Sequence, residues 1–515
     1  MASLEAFGFH LGPLHMQTLA TIILGAASVY AVSRCIYLRY FHPLSKFPGP
    51  PLAAVSNTWY AYHWLSGRYP WAVENAIRKY GDVVRIAPNE LVFVTPQAFR
   101  DIYGPHRKNL ELFVKTEFNT RGKDLGGIIW EEDPVRHHEV AKKLSPAFTS
   151  RAIREMEPLV NQYLDYFVNR MKELGSRPQG VGLVDWTNWL AMDLSADLSC
   201  NDKMNEMKDM KNSLTLDVVQ AFNRFATVMQ VFQKFPLLSP FQYLFVPFPK
   251  LLALIAMDKK TREGVVQRIE RGTNGTTEHV DFFEYIHPVG SPAPAAEREL
   301  THLGSIAAQV MFAEFGPVSD WWYATIYYLL EELECYRLLV DEIRAAFSSY
   351  EGIEPRALKT LPYLHACLEE SLRLFPSNNT GMPRYSPGAK VDGHFIPKGT
   401  TVQTSIFALA RSPRYFHEPL RFRPQRWLPA DHPLHDAVYS NDERNGLFSF
   451  SLGPRVCMGK DMAWMQGKLF MAKVLWMFDL AKPDAQQRVD LEGGLRHFGF
   501  FVKPEVNVRF IPVSR

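Results

Sequence analysis

The chain has 515 residues, a formal net charge of +3, 47% hydrophobic and 22% charged residues. That composition excludes wholesale disorder, and it holds no basic excess that would point to nucleic acid. The five cysteines (Cys35, Cys200, Cys335, Cys367, Cys457) are widely spaced and form no CxxC pair, so neither a disulfide framework nor a zinc ribbon is expected.

In chain order, the first expected element is an apolar, uncharged run from Met16 to Val32. Its length is near the lower limit for a bilayer-spanning helix, roughly 17–25 residues. Arg34, Arg39 and Lys46 follow it, while Glu5 is the only charge before it. Basic residues after the span place the bulk of the chain on the cytoplasmic side. A cleaved signal peptide would carry its basic flank on the other side, and a buried core helix is the remaining alternative. We read an anchor, with residues 1–15 as a short lumenal N-terminus, 16–38 as the transmembrane segment, 39–52 as a proline-rich hinge and 53–515 as the catalytic body. The hinge contains Phe47-Pro-Gly-Pro-Pro51, whose prolines stiffen the chain. In a cytosolic body the sequons at Asn274 and Asn378 carry no glycan.

The body shows no repeat and no long charge run. Apolar residues at three- and four-residue spacing predict helices over Arg151–Met171, Leu329–Phe347, Tyr363–Leu374 and Met462–Phe478. Short strands are expected at Val83–Ile86, Leu91–Thr95, Thr400–Gln403 and Val506–Ile511. Residues 272–300 read as a loop region around the helix-like DFFEYI. No glycine-rich phosphate loop follows a strand, so no nucleotide or flavin domain is expected.

The strongest chemical signal is Phe450-Ser-Leu-Gly453-Pro-Arg455-Val-Cys457-Met-Gly459. A lone cysteine sits in a glycine-bearing loop just before a helix-forming run. There a thiolate receives backbone N–H groups and the positive end of the helix dipole. Gly453 and Gly459 let the backbone approach a flat ligand, and Arg455 supplies a cation suited to a propionate. Together they describe an iron-protoporphyrin site with Cys457 as the axial metal ligand. On the cysteine alone, a structural thiol in a turn would explain as much.

At Phe450, Gly453, Arg455, Cys457 and Gly459 this string resembles the haem-binding signature of cytochromes P450. The rest of the chain after the anchor is similar to the family as well. Glu370-Ser-Leu-Arg373 resembles its ExxR pair, whose side chains share one helix face. Phe422-Arg-Pro-Gln-Arg426-Trp427 resembles the segment whose arginine joins that pair, with Gln425 in place of the usual glutamate. The resemblance makes Glu370, Arg373 and Arg426 a structural lock. Gly381-Met-Pro-Arg384 resembles the segment whose arginine reaches a haem propionate. His138 and Lys142 fall where the family often binds the other propionate, with a register ambiguous by one residue. The implied fold is mainly α with a small β region, one P450-like catalytic domain after a transmembrane helix, and the implied cofactor is haem b.

The distal helix is expected near Leu303–Leu330. There the family's (Ala/Gly)-Gly-x-(Asp/Glu)-Thr motif falls on Ala313-Glu314-Phe315-Gly316-Pro317. The acid position is Gly316, the alcohol position is Pro317, and Glu314 replaces a small glycine. A register using Ser319-Asp320 instead requires deleting about one helical turn and puts Trp321 at the alcohol position, so we reject it. In the family the acid–alcohol pair delivers the protons that oxygen activation consumes. Pro317 has no hydroxyl and no N–H, and it frees a carbonyl one turn earlier. Three explanations stay open: protons from water, substrate or Glu314; peroxide-dependent chemistry; or a redox-neutral dehydration, rearrangement or cyclisation with Glu314 as acid or base. Glu314 and Pro317 are therefore the candidate catalytic positions.

Family analogy places pocket lining at Phe312, Phe315 and in residues 105–130, 215–250, Ser377–Met382 and His497–Phe501. Val228, Phe232, Phe235, Phe500 and Phe501 are examples, and such apolar walls imply a lipophilic small-molecule substrate. The resemblance to microsomal P450s of fungal specialised metabolism implies a single-pass endoplasmic reticulum protein with a cytoplasmic catalytic domain. It also implies a separate NADPH-cytochrome P450 reductase, docking near Lys142, Lys143, Arg444 and Lys460. A haem-binding scaffold or sensor without catalysis is the competing class.

Overall fold

The computed structural model describes residues 13–106, 110–116, 127–245, 248–294, 296–483 and 489–514. Of the lumenal segment expected at 1–15, residues 1–12 lie outside the described residues, as do 107–109 and 117–126 of the expected lining.

Helix α1 (Pro13–Ile36) opens the chain. The stretch Gln17–Phe41 holds an 18-residue window of mean hydropathy 1.7 with none of that window buried, so it is long and apolar enough to cross a membrane. The hinge that follows is packed rather than free. Leu38, Leu44 and Phe47 are buried, and Arg85, itself buried, donates through Nη1 to the Leu38 carbonyl at 2.8 Å. A side chain at Gly49 would come 2.2 Å from the Arg85 carbonyl oxygen, so the Pro-Gly-Pro elbow needs a glycine there to lie against its strand.

That strand is β1 (Val83–Ala87), which pairs antiparallel with β2 (Glu90–Phe93). Short strands β3 (Val114–Lys115), β4 (Arg384–Tyr385) and β5 (Thr401–Thr404) complete a five-stranded sheet in the order β1-β2-β5-β4-β3. Only the β2–β5 pair is parallel. A smaller three-stranded sheet joins Val181–Gly182, Asn507–Pro512 and Phe478–Ala481. Each strand expected from sequence is present, with ends shifted by one or two residues.

The helical body runs through α2 (Pro134–Leu144), α3 (Ser150–Leu174), α4 (Leu183–Cys200), α5 (Leu214–Gln233), α6 (Phe248–Thr273), α7 (Glu297–Glu331), α8 (Leu333–Ala346), α9 (Pro362–Leu374) and α10 (Lys460–Met477). Helix α3 shows why these segments form. Thr149 caps it by accepting from the Ala152 N–H, and Ile153, Met156, Val160, Leu164, Phe167 and Met171 make one buried stripe. Helix α7, 35 residues long, runs unbroken through Pro317 and carries the centre of the core. Its fully buried Trp322 stacks on Phe470 of α10 at 4.7 Å between ring centroids. The helix expected over Leu329–Phe347 is split, because Glu332 leaves helical backbone angles and offers its carboxylate to Arg423 at 3.1 Å.

Residues 236–245, expected to line a pocket, do the opposite. This segment has no buried residue, and Leu237, Phe241, Tyr243, Leu244 and Phe245 are exposed. Its 3-10 turns, with Pro240 inside, give no single face to tuck inward. Phe501 is also core rather than lining, packed 4.4 Å from Phe375.

Candidate active site

The cysteine loop is held from both ends. The Cys457 N–H donates to the Phe450 carbonyl at 2.9 Å, and Ser451 and Gly453 both take positive φ. At Gly453 (φ 71°) a Cβ would lie 2.2 Å from the Tyr103 carbonyl oxygen, so only glycine lets the loop pass this close to its neighbour. Phe450 packs edge-on to Trp321 of α7 at 6.3 Å. The thiol of Cys457 is accessible. Yet burial pushes it up, with the Gly459 N–H and the Lys460 charge pulling back, so the sulfur lies in a recess rather than on the outer surface. In the middle of α7, Ala313 is exposed while Gln309, Val310, Met311, Phe315 and Gly316 are buried.

A group of cations gathers near Arg455 of the cysteine loop. Lys115 on β3 pairs in register with Arg384 on β4, and both are buried. Arg384 Nη1 donates only to the nearby carbonyls of Met382 and Pro383, at 3.2 and 3.1 Å, and its guanidinium lies over the Tyr103 ring. Lys115 donates to the Ile129 carbonyl. Burial, then the charges of Arg384 and Arg455, hold its ammonium well below the usual lysine range. His137 is buried in the same group. Burial first, then Arg455, Lys115 and Arg384, lower it to about 3, so it is neutral.

His137, not His138, is the inward residue. His138 and Lys142 are exposed. The register follows from α2 itself, where His137, Val140 and Leu144 are buried together at helical spacing. Those two apolar positions could have fixed the phase from sequence. Lys115 had no such signal, because its role depends on a strand pairing across more than two hundred residues.

Arg455 is held by protein groups. It forms an ion pair with Glu111 at 2.6 Å and donates to the carbonyls of Glu131 at 2.6 Å and Glu132 at 3.3 Å. Glu111 is the carboxylate on the Arg455 side of this basic group, and sequence reasoning missed it. Also missed was Gln309, one turn before Ala313. Its Oε1 accepts from the backbone N–H groups of Ile128 at 2.9 Å and Ile129 at 2.7 Å, tying that loop to α7.

On the distal motif, Gly316 is covered: a Cβ there would come 2.9 Å from the Phe500 ring. Phe500 thus fills the space an acid side chain would need. Glu314 hydrogen-bonds Gln466 of α10, and burial raises its pKa to about 7. Asp320, the acid of the rejected register, is buried in an ion pair with Lys503 at 2.9 Å.

Behind the cysteine loop lies the lock. Arg373 grips Glu370 with two N–H groups, both at 2.8 Å, and Arg426 adds a third at 3.1 Å. Trp427 Nε1 and the Arg423 N–H complete the carboxylate's shell at 2.9 and 2.8 Å. Glu370, Arg373 and Arg426 are all fully buried. Burial pushes Glu370 up, but Arg373 and Arg426 overrule it and hold the carboxyl below its ordinary value.

These features fit a flat group with one soft axial donor and two carboxylates. The accessible thiol is the donor, the open face at Ala313 is the room, and the surplus of basic groups meets the negative charge.

Comparison with known proteins agrees. The family model for cytochrome P450 matches residues 48–508. The cytochrome P450 monooxygenase TwmD of Talaromyces wortmannii is 50% identical over 498 residues, covering 96% of this chain and 97% of that protein. BOA3 of Botryotinia fuckeliana, also named a cytochrome P450 monooxygenase, is 33% identical over 93% of this chain and 94% of its own length. The poxC monooxygenase of Penicillium oxalicum is 35% identical over 94% and 92%. With most of its length matched and its cysteine loop intact, this chain belongs to the cytochrome P450 family, a monooxygenase-type oxidoreductase that uses haem.

Proposed function

We propose that the protein is a membrane-anchored monooxygenase of a specialised-metabolite pathway, oxidising a lipophilic small molecule with electrons from a separate NADPH-cytochrome P450 reductase. The observation that carries this reading is the free, exposed Cys457 in a loop shaped by the positive-φ Gly453 and closed by its own N–H to the Phe450 carbonyl. Cys457 would ligate the haem iron through its thiolate. Arg384, with Lys115 and His137 beside it, would hold the propionates. Arg455 takes part there by sharing its guanidinium with Glu111. Phe450, Gly453 and Gly459 shape the loop. Bound at this position, haem supplies the activation of dioxygen. Phe312 and Phe500, half-buried on the distal side, favour an apolar substrate and keep water out.

Location follows from two apolar surfaces. The first is α1 with its basic flank, which supports a single-pass anchor in the endoplasmic reticulum with the catalytic domain cytoplasmic. The second is the exposed strip on residues 236–245, next in the chain to α5. Helix α5 also packs on Thr58–Leu65, where Tyr62 and Leu65 are exposed. An apolar area of this kind suits a lipid surface.

A second reading is favoured by one specific observation. Gly316 is covered by Phe500, and Pro317 has neither hydroxyl nor N–H, so neither position supplies a protic group. Redox-neutral or peroxide-dependent chemistry would not need that supply. The deciding experiment compares the mass of the compound that accumulates when the gene is removed with that of the compound lost. A gain of one oxygen or loss of two hydrogens that depends on NADPH and reductase, and is not driven by added peroxide alone, supports oxidation with reductase. An unchanged formula, or loss of water alone, overturns it in favour of the second reading.

A further inference from the structure

Glu314 stands where the family pattern places a small glycine, and its surroundings say what it does. Its neighbour Ala313 on α7 and Cys457 in the loop are both exposed. The Glu314 carboxyl is not. Its Oε1 accepts from Nε2 of Gln466, while its Oε2 is shut off from solvent with no hydrogen-bond partner among the described residues. Gln466 is fully buried, and its own Oε1 is also without a partner.

Two leftover atoms therefore remain, one on each side chain. With an ionised carboxylate both are acceptors, and a buried pair of acceptors without a donor is unfavourable. One proton on Glu314 changes that. The acid O–H then donates to the amide oxygen while the amide N–H donates to the acid carbonyl, closing a ring of two hydrogen bonds.

We propose that Glu314 and Gln466 form a neutral acid–amide clamp that ties the middle of α7 to α10, the helix following the cysteine loop. Glu314 is then a positioning residue of the site and holds its proton instead of delivering it. The clamp sits where it is needed. Pro317 cannot donate to the Ala313 carbonyl one turn earlier, so α7 lacks a backbone bond beside Glu314. A side-chain tie to α10 steadies that turn. The pair stands on its own contact, but its bearing on catalysis rests on the reading of Cys457 as haem ligand.

The electrostatics agree. Burial is the main influence on the Glu314 carboxyl, and Gln466 is the one side chain that opposes it, giving about 7. Charged groups on the elements packed around this turn are engaged elsewhere. Asp320 pairs with Lys503, Lys473 with Asp165, and Glu370 with Arg373. On α10, Lys460 and Asp461 are exposed, and Lys468 donates to the Leu358 carbonyl. On α4, Asp193 accepts from backbone N–H groups and Asp197 from Tyr163.

The test compares holoenzymes of the wild type, Glu314→Gln and Gln466→Leu by difference infrared spectroscopy at neutral pH. A protonated-carboxyl band is expected that Glu314→Gln removes and Gln466→Leu shifts. Loss of ionised carboxylate bands in Glu314→Gln instead overturns the clamp. Unfolding as a function of pH is the second measurement. A carboxyl whose folded pKa is raised stabilises below its unfolded value, and that stability is lost as pH rises through the folded one. Wild type should lose stability toward and through about pH 7. Glu314→Gln, which pairs amide to amide at every pH, should show a slope shallower by the one proton Glu314 releases, with the share of other raised carboxyls such as Glu369 unchanged. Identical slopes overturn the proposal. A reduced carbon-monoxide spectrum of each variant separates the two readings. An intact haem–thiolate band with a failed infrared result removes the clamp alone, whereas a wild type without that band removes the Cys457 assignment.

Discussion

The two sides of the site differ in what they keep. On the cysteine side, the loop, its glycines and the buried lock follow the family pattern residue by residue, and each polar group in the lock has a partner. On the distal side, the same family keeps a helix of the right length and place but changes three positions of its central motif. The changes are coordinated: Phe500 fills the space over Gly316, Pro317 removes a donor, and Glu314 takes Gln466 as its partner. The cysteine side fixes what cofactor is held. The distal side decides how protons arrive, and there this chain has been rebuilt.

The most severe way to break the comparison is at the ligand itself. Cys457→Ala should abolish turnover and the haem–thiolate carbon-monoxide band, because no other described thiol lies in that recess. Of the rest, Cys335 and Cys367 are buried in the core, Cys200 ends α4 and Cys35 lies on α1. Product formation by that variant would remove the haem assignment altogether.

Next comes the lock. Glu370→Ala leaves two fully buried guanidinium groups without their carboxylate. Breaking a buried pair from one side costs about 3–5 kcal/mol, enough to lower the melting temperature of the holoenzyme strongly. Because the Glu370 pKa is depressed in the folded state, its contribution is present above the ordinary carboxyl range and is lost as pH falls through the folded value. The destabilisation caused by Glu370→Ala should therefore shrink in acid. A thermal shift that stays constant down to acidic pH would place the stabilisation elsewhere.

This asymmetry also explains what could be read before the structure. The cysteine loop and the Glu370–Arg373 pair were legible because their chemistry is local, set by fixed spacing within one loop or one helix face. Arg426 and Arg384 followed from short flanking strings. Gln466, Lys115 and Glu111 were not legible, and Phe500, read as pocket lining, was not legible as the cover of Gly316. Each matters through a partner far away in the chain, and no periodicity records that pairing. His137 lies between these cases. The sequence held the answer in Val140 and Leu144, whose burial sets the turn of α2. The pocket expected at 236–245 failed because apolar content marks contact with something apolar, and a lipid surface satisfies it as well as a substrate does.

A smaller effect is expected on the distal side, where the rebuilt motif can be partly reversed. Restoring both family residues at once is the natural experiment, but the structure separates them. Gly316→Asp must displace the Phe500 ring, whose nearest atom would be 2.9 Å from the new Cβ, so by itself it should lower expression and haem content. Paired with Phe500→Ala it gains the space it needs. Pro317→Thr meets no such obstacle: it returns a backbone donor to the Ala313 carbonyl and a hydroxyl to the open face of α7. If proton supply limits oxidation, Pro317→Thr should raise the ratio of product to released peroxide several-fold, below the about 10²–10⁴-fold that a fully positioned proton donor contributes. Measuring peroxide against product under identical reductase supply gives that ratio directly. An unchanged ratio with intact haem would mean that protons already reach the site by a route that does not pass through position 317. With Glu314 clamped by Gln466, water or the substrate's own hydroxyl would then be that route, and exchanging substrate hydroxyls for methyl ethers would distinguish the two.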